Sequence, residues 1–158
     1  MNTIAKFSGD NMGGVVKIWA RPESNVNSIE LDTDNVYNLN LDTTDNIYAI
    51  YCSHESISFN EPEKDSDAGK YYEPELSAVI PKDTPSIQAA LDYLKDRKWL
   101  LVYLDNNEYY KLAGEINSPL EFTSKFVTGK ETQSLNHHSI TFFGKTLNKS
   151  LFINNPFL

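Results

Sequence analysis

The run Trp99-Leu100-Leu101-Val102-Tyr103-Leu104 is apolar at odd and even positions alike. Successive side chains of a strand point to opposite faces, so such a segment needs cover on both sides and belongs at the centre of a layered fold. It continues into Asp105-Asn106-Asn107-Glu108 and then Tyr109-Tyr110-Lys111-Leu112-Ala113-Gly114. Asparagine tolerates positive φ, and Asn106-Asn107 predicts a two-residue hairpin turn between two strands.

Other segments alternate with period two and are rich in β-branched and aromatic residues. In Val15–Arg21, Val16, Ile18 and Ala20 are expected on one face. Ile47–Cys52 and Ile57–Phe59 read as strands, and in Leu76–Ile80 the residues Leu76, Ala78 and Ile80 line one side before Pro81 ends the ladder. A further pair is expected from Leu120–Val127 and Ser139–Phe143. One helix is marked at about 84–97. Thr84 can cap it, Pro85 suits its first position, and Ile87, Ala90, Leu91 and Leu94 form its apolar stripe. Lys95, Arg97 and Lys98 suit its C-terminal end. The predicted fold is mostly β: an antiparallel β-sandwich or barrel with one packed α-helix, residues 1–158 forming a single domain.

Two stretches are expected as exposed loops, about 60–69 and about 128–138. The first is charged, with no apolar side chain larger than alanine apart from Pro62, and the second is polar and long for a hairpin connection. Pro22–Asn27 is dense in turn formers, and a turn is also expected at Asp42–Asp45, where the later glycine and glutamate of a calcium loop are lacking.

No apolar run approaches the roughly 20 residues that span a bilayer, and Met1–Phe7 lacks the apolar core of a signal peptide. Folding in the cytoplasm, with no membrane contact, is the expectation. The single cysteine, Cys52, fits a reducing compartment and reads as a small buried hydrophobe. The net charge of −8 disfavours a general nucleic-acid surface. It is concentrated in residues 1–75, with 14 acidic against five basic residues, whereas the remainder has eight against nine.

Motifs for chemistry are sparse. Cys52, His54, His137 and His138 could supply metal ligands, but their spacing fits no structural zinc pattern and adjacent strand histidines diverge, so solvated loop histidines are expected. No Gly-x-Ser-x-Gly turn occurs, and Asp65 and Asp67 lie in a hydrophilic stretch where ordinary carboxyl behaviour is expected. Asn11-Met12-Gly13-Gly14 precedes a strand, whereas phosphate cradles open a helix. No catalytic residue, cofactor or metal is expected.

Aromatic residues are abundant instead. Tyr71-Tyr72, Tyr109-Tyr110 and Phe142-Phe143 each place one ring on either face of a sheet, so one of each pair needs a second layer or a partner. The tail Leu151–Leu158, with Phe152 and Phe157, is too apolar to be left in water.

Several motifs carry a resemblance. Gly13-Gly14-Val15-Val16-Lys17-Ile18-Trp19, Gly69–Leu76, Leu112-Ala113-Gly114, Pro119-Leu120-Glu121-Phe122, Thr128-Gly129 and Ile140–Gly144 together resemble small tail-tube and neck-ring virion structural proteins of tailed bacteriophages, especially those infecting Bacteroidetes. The resemblance implies a β-barrel or sandwich with a flanking helix, assembled as a ring around a DNA channel, and no enzymatic activity. It implies partnership with copies of itself and with adjacent tail, neck or portal proteins, location in the virion after synthesis in the host cytoplasm, and DNA passing without sequence-specific contact. The rather short C-terminal tail departs from the pattern, which leaves stopper, terminator and ring roles unseparated. The expected subunit-interface residues are Tyr71, Tyr72, Tyr109, Tyr110, Lys130, Glu131, Phe152 and Phe157. The competing expectation is a monomeric ligand- or protein-binding β-sandwich with Tyr109 or Tyr110 on an exposed platform, and a third is a hydrolase with clustered carboxylates or histidines.

Overall fold

The computed structural model describes residues 4, 8–42 and 47–157. Met1–Phe7 apart from Ile4, the greater part of the expected turn at Asp42–Asp45, and Leu158 therefore lie outside the described residues. The chain is mostly β, with thirteen strands and one α-helix among the described residues.

The strands are β1 (Val15–Pro22), β2 (Val26–Thr33), β3 (Val36–Leu41), β4 (Tyr48–Ile50), β5 (Ser58–Asn60), β6 (Glu63–Ser66), β7 (Gly69–Tyr72), β8 (Glu75–Pro81), β9 (Trp99–Asp105), β10 (Tyr110–Ala113), β11 (Glu121–Val127), β12 (His137–Phe143) and β13 (Leu151–Ile153). The helix α1 spans Pro85–Lys95. A seven-stranded sheet has the order β2-β3-β13-β10-β9-β1-β4, a four-stranded sheet has the order β11-β12-β8-β5, and β6-β7 stand as a separate hairpin. Among the described residues, all ladders between named strands are antiparallel except that of β13 with β3.

β9 is central, as its two-faced apolar pattern predicts. Trp99, Leu101 and Tyr103 enter the main core with Ile18, Leu76, Ile140 and Phe142 between the two sheets. Leu100 and Val102 face the other way and pack with Val26, Leu112 and Ile153 in a second, smaller core. A single 3₁₀ turn, Glu23–Asn25, separates β1 from β2, yet the two strands lie far apart in the sheet order. The large sheet must therefore curve, and the second core fills its concave side. Buried Arg21 fixes this turn by donating from Nε and Nη2 to the Asn25 carbonyl at 3.4 and 3.1 Å.

Several boundaries differ from the sequence reading, each for a local reason. A register shift between Val15 and Lys17 inserts a bulge, so Val15, not Val16, packs beside Ile18, and Val16 is exposed. The β9–β10 connection has four residues, 106–109, and the positive φ falls on Glu108 (+66°) instead of on either asparagine. The Asp105 carboxylate accepts from the amides of Asn107 and Tyr109, both at 2.9 Å, which holds this wider turn. The two-residue turn occurs elsewhere, at Asp34-Asn35 (φ 48° and 66°) between β2 and β3, a hairpin that period-two reading passes over.

The stretch 60–69 is exposed but contains β6 and the start of β7, closed by an ion pair of Lys70 with Glu63. The later loop shortens to 128–136 because β12 begins at His137. Cys52 lies just beyond β4, not within it. The α1 cap is as predicted: Thr84 Oγ1 accepts from the Ile87 amide at 3.2 Å. The helix ends at Lys95, short of Arg97, and of its expected stripe Leu91 and Leu94 are buried while Ala90 is exposed.

Candidate interaction surface

The β10–β13 ladder sorts the expected interface aromatics into two groups. Lys111 pairs with Phe152 and Tyr110 with Ile153, so neighbouring residues face opposite ways. On one face, Tyr109 meets the Phe152 ring edge to face at 5.5 Å, and the Lys111 ammonium lies 4.4 Å over the same ring. Tyr109 is 57 % exposed and Phe152 40 %. On the other face, Phe157 folds back onto Trp19 (4.6 Å) and Tyr110 (6.1 Å). The apolar tail thus docks on its own chain through β13 and Phe157, while keeping part of each ring in contact with solvent.

Tyr71 and Tyr72 sit on β7, half-buried. Lys145 lies 5.6 Å over the Tyr71 ring, and the Tyr72 backbone exchanges hydrogen bonds with Thr146 at 2.8 and 2.9 Å. This bridge fastens the small hairpin to the segment leading into β13. Lys130 and Glu131 are exposed in the 128–136 loop, where Glu131 accepts from Gln133 at 3.2 Å, and the structure does not bring them to the aromatic groups.

Beneath the Tyr109–Phe152 face lies a polar knot. Glu61 accepts from the Ser150 amide at 2.7 Å and from its hydroxyl at 3.2 Å. Partial burial raises the Glu61 pKa, against the opposing pull of Ser150, Lys111 and Lys149. Tyr103, stacked on Phe59 at 4.7 Å, is pushed up to about 12, chiefly by burial. The knot ties the 60s segment to the start of β13.

The metal-type residues are dispersed. His54 is 92 % exposed at its side chain and lies 4.0 Å from Glu55. His137 and His138 belong to β12 rather than to a solvated loop, and His138 is buried, with Nε2 2.9 Å from the Asp83 carboxylate. Asp83 also accepts from Gln88 Nε2, so the pair links β12 to the start of α1. Burial pushes the Cys52 thiol up to about 11. Among the described residues, no group of three or more His, Cys, Asp or Glu side chains could hold a metal ion, and no helix is long and apolar enough to cross a membrane.

Sequence reasoning missed two surface features. Leu135 and Leu147, 84 % and 71 % exposed, project from polar loops. Their signal was an isolated leucine within Gln133–Asn136 and within Thr146–Lys149. The second feature is an apolar groove between α1 and β4, lined by Tyr48, Ile50, Ile87, Leu91 and Tyr93 among others. A scan against protein-family models, a search of curated proteins and a search of solved structures each return no match.

Proposed function

We propose that this chain is a virion structural protein, a subunit of a ring in the tail or neck of a tailed bacteriophage that forms part of the DNA channel. The observation that carries the reading is the placement of large apolar side chains on projecting parts: Leu135 and Leu147 on loops, Tyr109 beside a turn, and Leu31 and Phe126 on edge strands. Exposed apolar groups on protrusions gain by insertion into a neighbour, and a heterologous contact of this kind closes into a ring when its rotation allows.

The sheet edges support an ordered choice of contact. β4 and β5 have three residues each, and β2 is broken by two register shifts and carries Glu30 and Asp32. Bulges and charges of that kind deter strand addition. β11 holds seven residues in unbroken register with β12, and beyond its first residues its outer edge is the one best suited to pairing with a neighbour. The β2–β3 hairpin, residues 26–41, contains Glu30, Asp32 and Asp34 and no lysine or arginine. Turned to a channel, it would repel phosphate and let DNA slide without sequence-specific contact. The partners in this reading are copies of the chain and the adjacent tail, neck or portal proteins, and the reading assigns no catalytic step.

The test is native mass spectrometry and negative-stain imaging across a concentration series, with Leu135→Asp and Leu147→Asp compared. Discrete rings or tubes from the parent chain, lost in at least one variant of unchanged fold, are expected. A monomer at every concentration, together with absence of the chain from purified particles, overturns the proposal. That result would favour a monomeric binding module built on the Tyr109–Phe152 platform.

A further inference from the structure

A groove of about 470 Å³ runs between α1 and the edge strand β4. Core residues Ile80, Leu91 and Leu94 form its floor, and Tyr48, Ile50 and Ile87 are among its walls. The volume falls within the roughly 300–1,000 Å³ typical of small-molecule sites. Ala90, which helical periodicity assigns to the packed stripe, is exposed along this wall. The helix therefore turns part of its apolar face to the groove instead of to another element. Among the described residues, no acidic, basic or amide side chain lines the groove.

Three tyrosines are among its described lining, Tyr48, Tyr51 and Tyr93, and two of them meet. The hydroxyls of Tyr48 and Tyr93 lie 3.0 Å apart. One donates to the other, so one phenolic hydrogen of the pair is left for a further acceptor. The Arg97 guanidinium lies 4.3 Å over the Tyr93 ring. It is close enough to Tyr48 to oppose, electrostatically, the rise in pKa that the tyrosine pair produces. The groove thus combines an apolar body with a phenolic donor, and the Arg97 cation, outside the lining itself, packs on one of the two tyrosines that provide it.

We propose that this groove binds an amphipathic carboxylate, with its aliphatic or aromatic body against Ile50, Ile87 and Leu91 and its head toward the tyrosine hydroxyls and Arg97. A cationic or polyhydroxylated ligand would find no carboxylate or amide among the described lining residues, and a wholly apolar one would leave the phenolic hydrogen and Arg97 unused. The site is independent of ring assembly and is tested on the purified full chain.

Calorimetric titration with octanoate is expected to show one saturable site, and octanol is expected to bind more weakly. Ala90→Trp fills the groove from an exposed helix position; binding should disappear while the melting curve and circular dichroism stay those of the parent. Arg97→Gln should weaken octanoate roughly fivefold, as loss of a partly exposed charge pair does, and leave octanol unchanged. Equal affinity for octanoate and octanol, no effect of Arg97→Gln, saturable binding that survives Ala90→Trp, or no saturable binding by the parent chain would each overturn the proposal.

Discussion

The Trp99 indole N–H donates to the Leu94 carbonyl at 2.7 Å in the buried interior. Leu94 lies in the last turn of α1 and Trp99 opens β9, so one bond fixes the angle at which the helix enters the central strand. The last carbonyls of a helix have no partner within it, and this one is supplied by a core side chain. Trp99→Phe leaves the carbonyl buried and unmet and removes packed volume. The variant is expected to lose about 2–4 kcal/mol, read by urea denaturation. A loss under about 0.5 kcal/mol, the scale of an ordinary surface change, would show that the bond does not matter.

Gly114 follows β10 with φ +92°, a conformation costly for any residue with a Cβ. A Cβ there would lie 3.0 Å from Leu100 Cδ2 and 3.2 Å from Leu120 Cγ. Both leucines are core residues with little room to move. Gly114→Ala should therefore cost roughly 1–3 kcal/mol, seen as a lowered melting temperature with the fold retained. An unchanged melting temperature would contradict this.

The Cys52 thiol, raised to about 11 by burial, holds very little thiolate at neutral pH. Labelling by a thiol-disulfide reagent at pH 8 should proceed far more slowly in the folded chain than in the same chain in denaturant. Labelling as fast in the folded state as in the unfolded would refute the burial account.

Glu61 gives a pH dependence of definite sign. Its folded pKa lies above the ordinary glutamate value, so between the two values the folded state binds the extra proton. Its contribution to stability is complete below the unfolded pKa and is lost as pH rises through the folded one. Glu61→Gln should flatten the stability profile just above the usual glutamate range, measured by denaturant melts at a series of pH values. A variant profile parallel to the parent's there would refute the assignment.

The positions of α1, β8, β9, β11 and β12 were legible in the sequence because each depends on a short-range pattern: a cap with proline, an alternating face, or a run apolar on both faces. Leu76, Ala78 and Ile80 are buried together as the alternation required. The two-faced β9 also foretold a layer on either side, since no other arrangement keeps Leu100 and Leu101 both out of water.

Tertiary structure decided what alternation cannot specify. One extra residue in β1 exchanged Val15 for Val16 at the core, and β13 paired in parallel with β3 across more than a hundred residues of chain. His138 became a buried partner of Asp83, although its neighbours in sequence read as a solvated loop. The groove lies between α1 and β4, which are separated by more than thirty residues, so its outline was written in no single segment. Local pattern fixes which face of a segment avoids water. Which segments meet to cover that face, and where a gap is left, depends on the summed packing of distant parts.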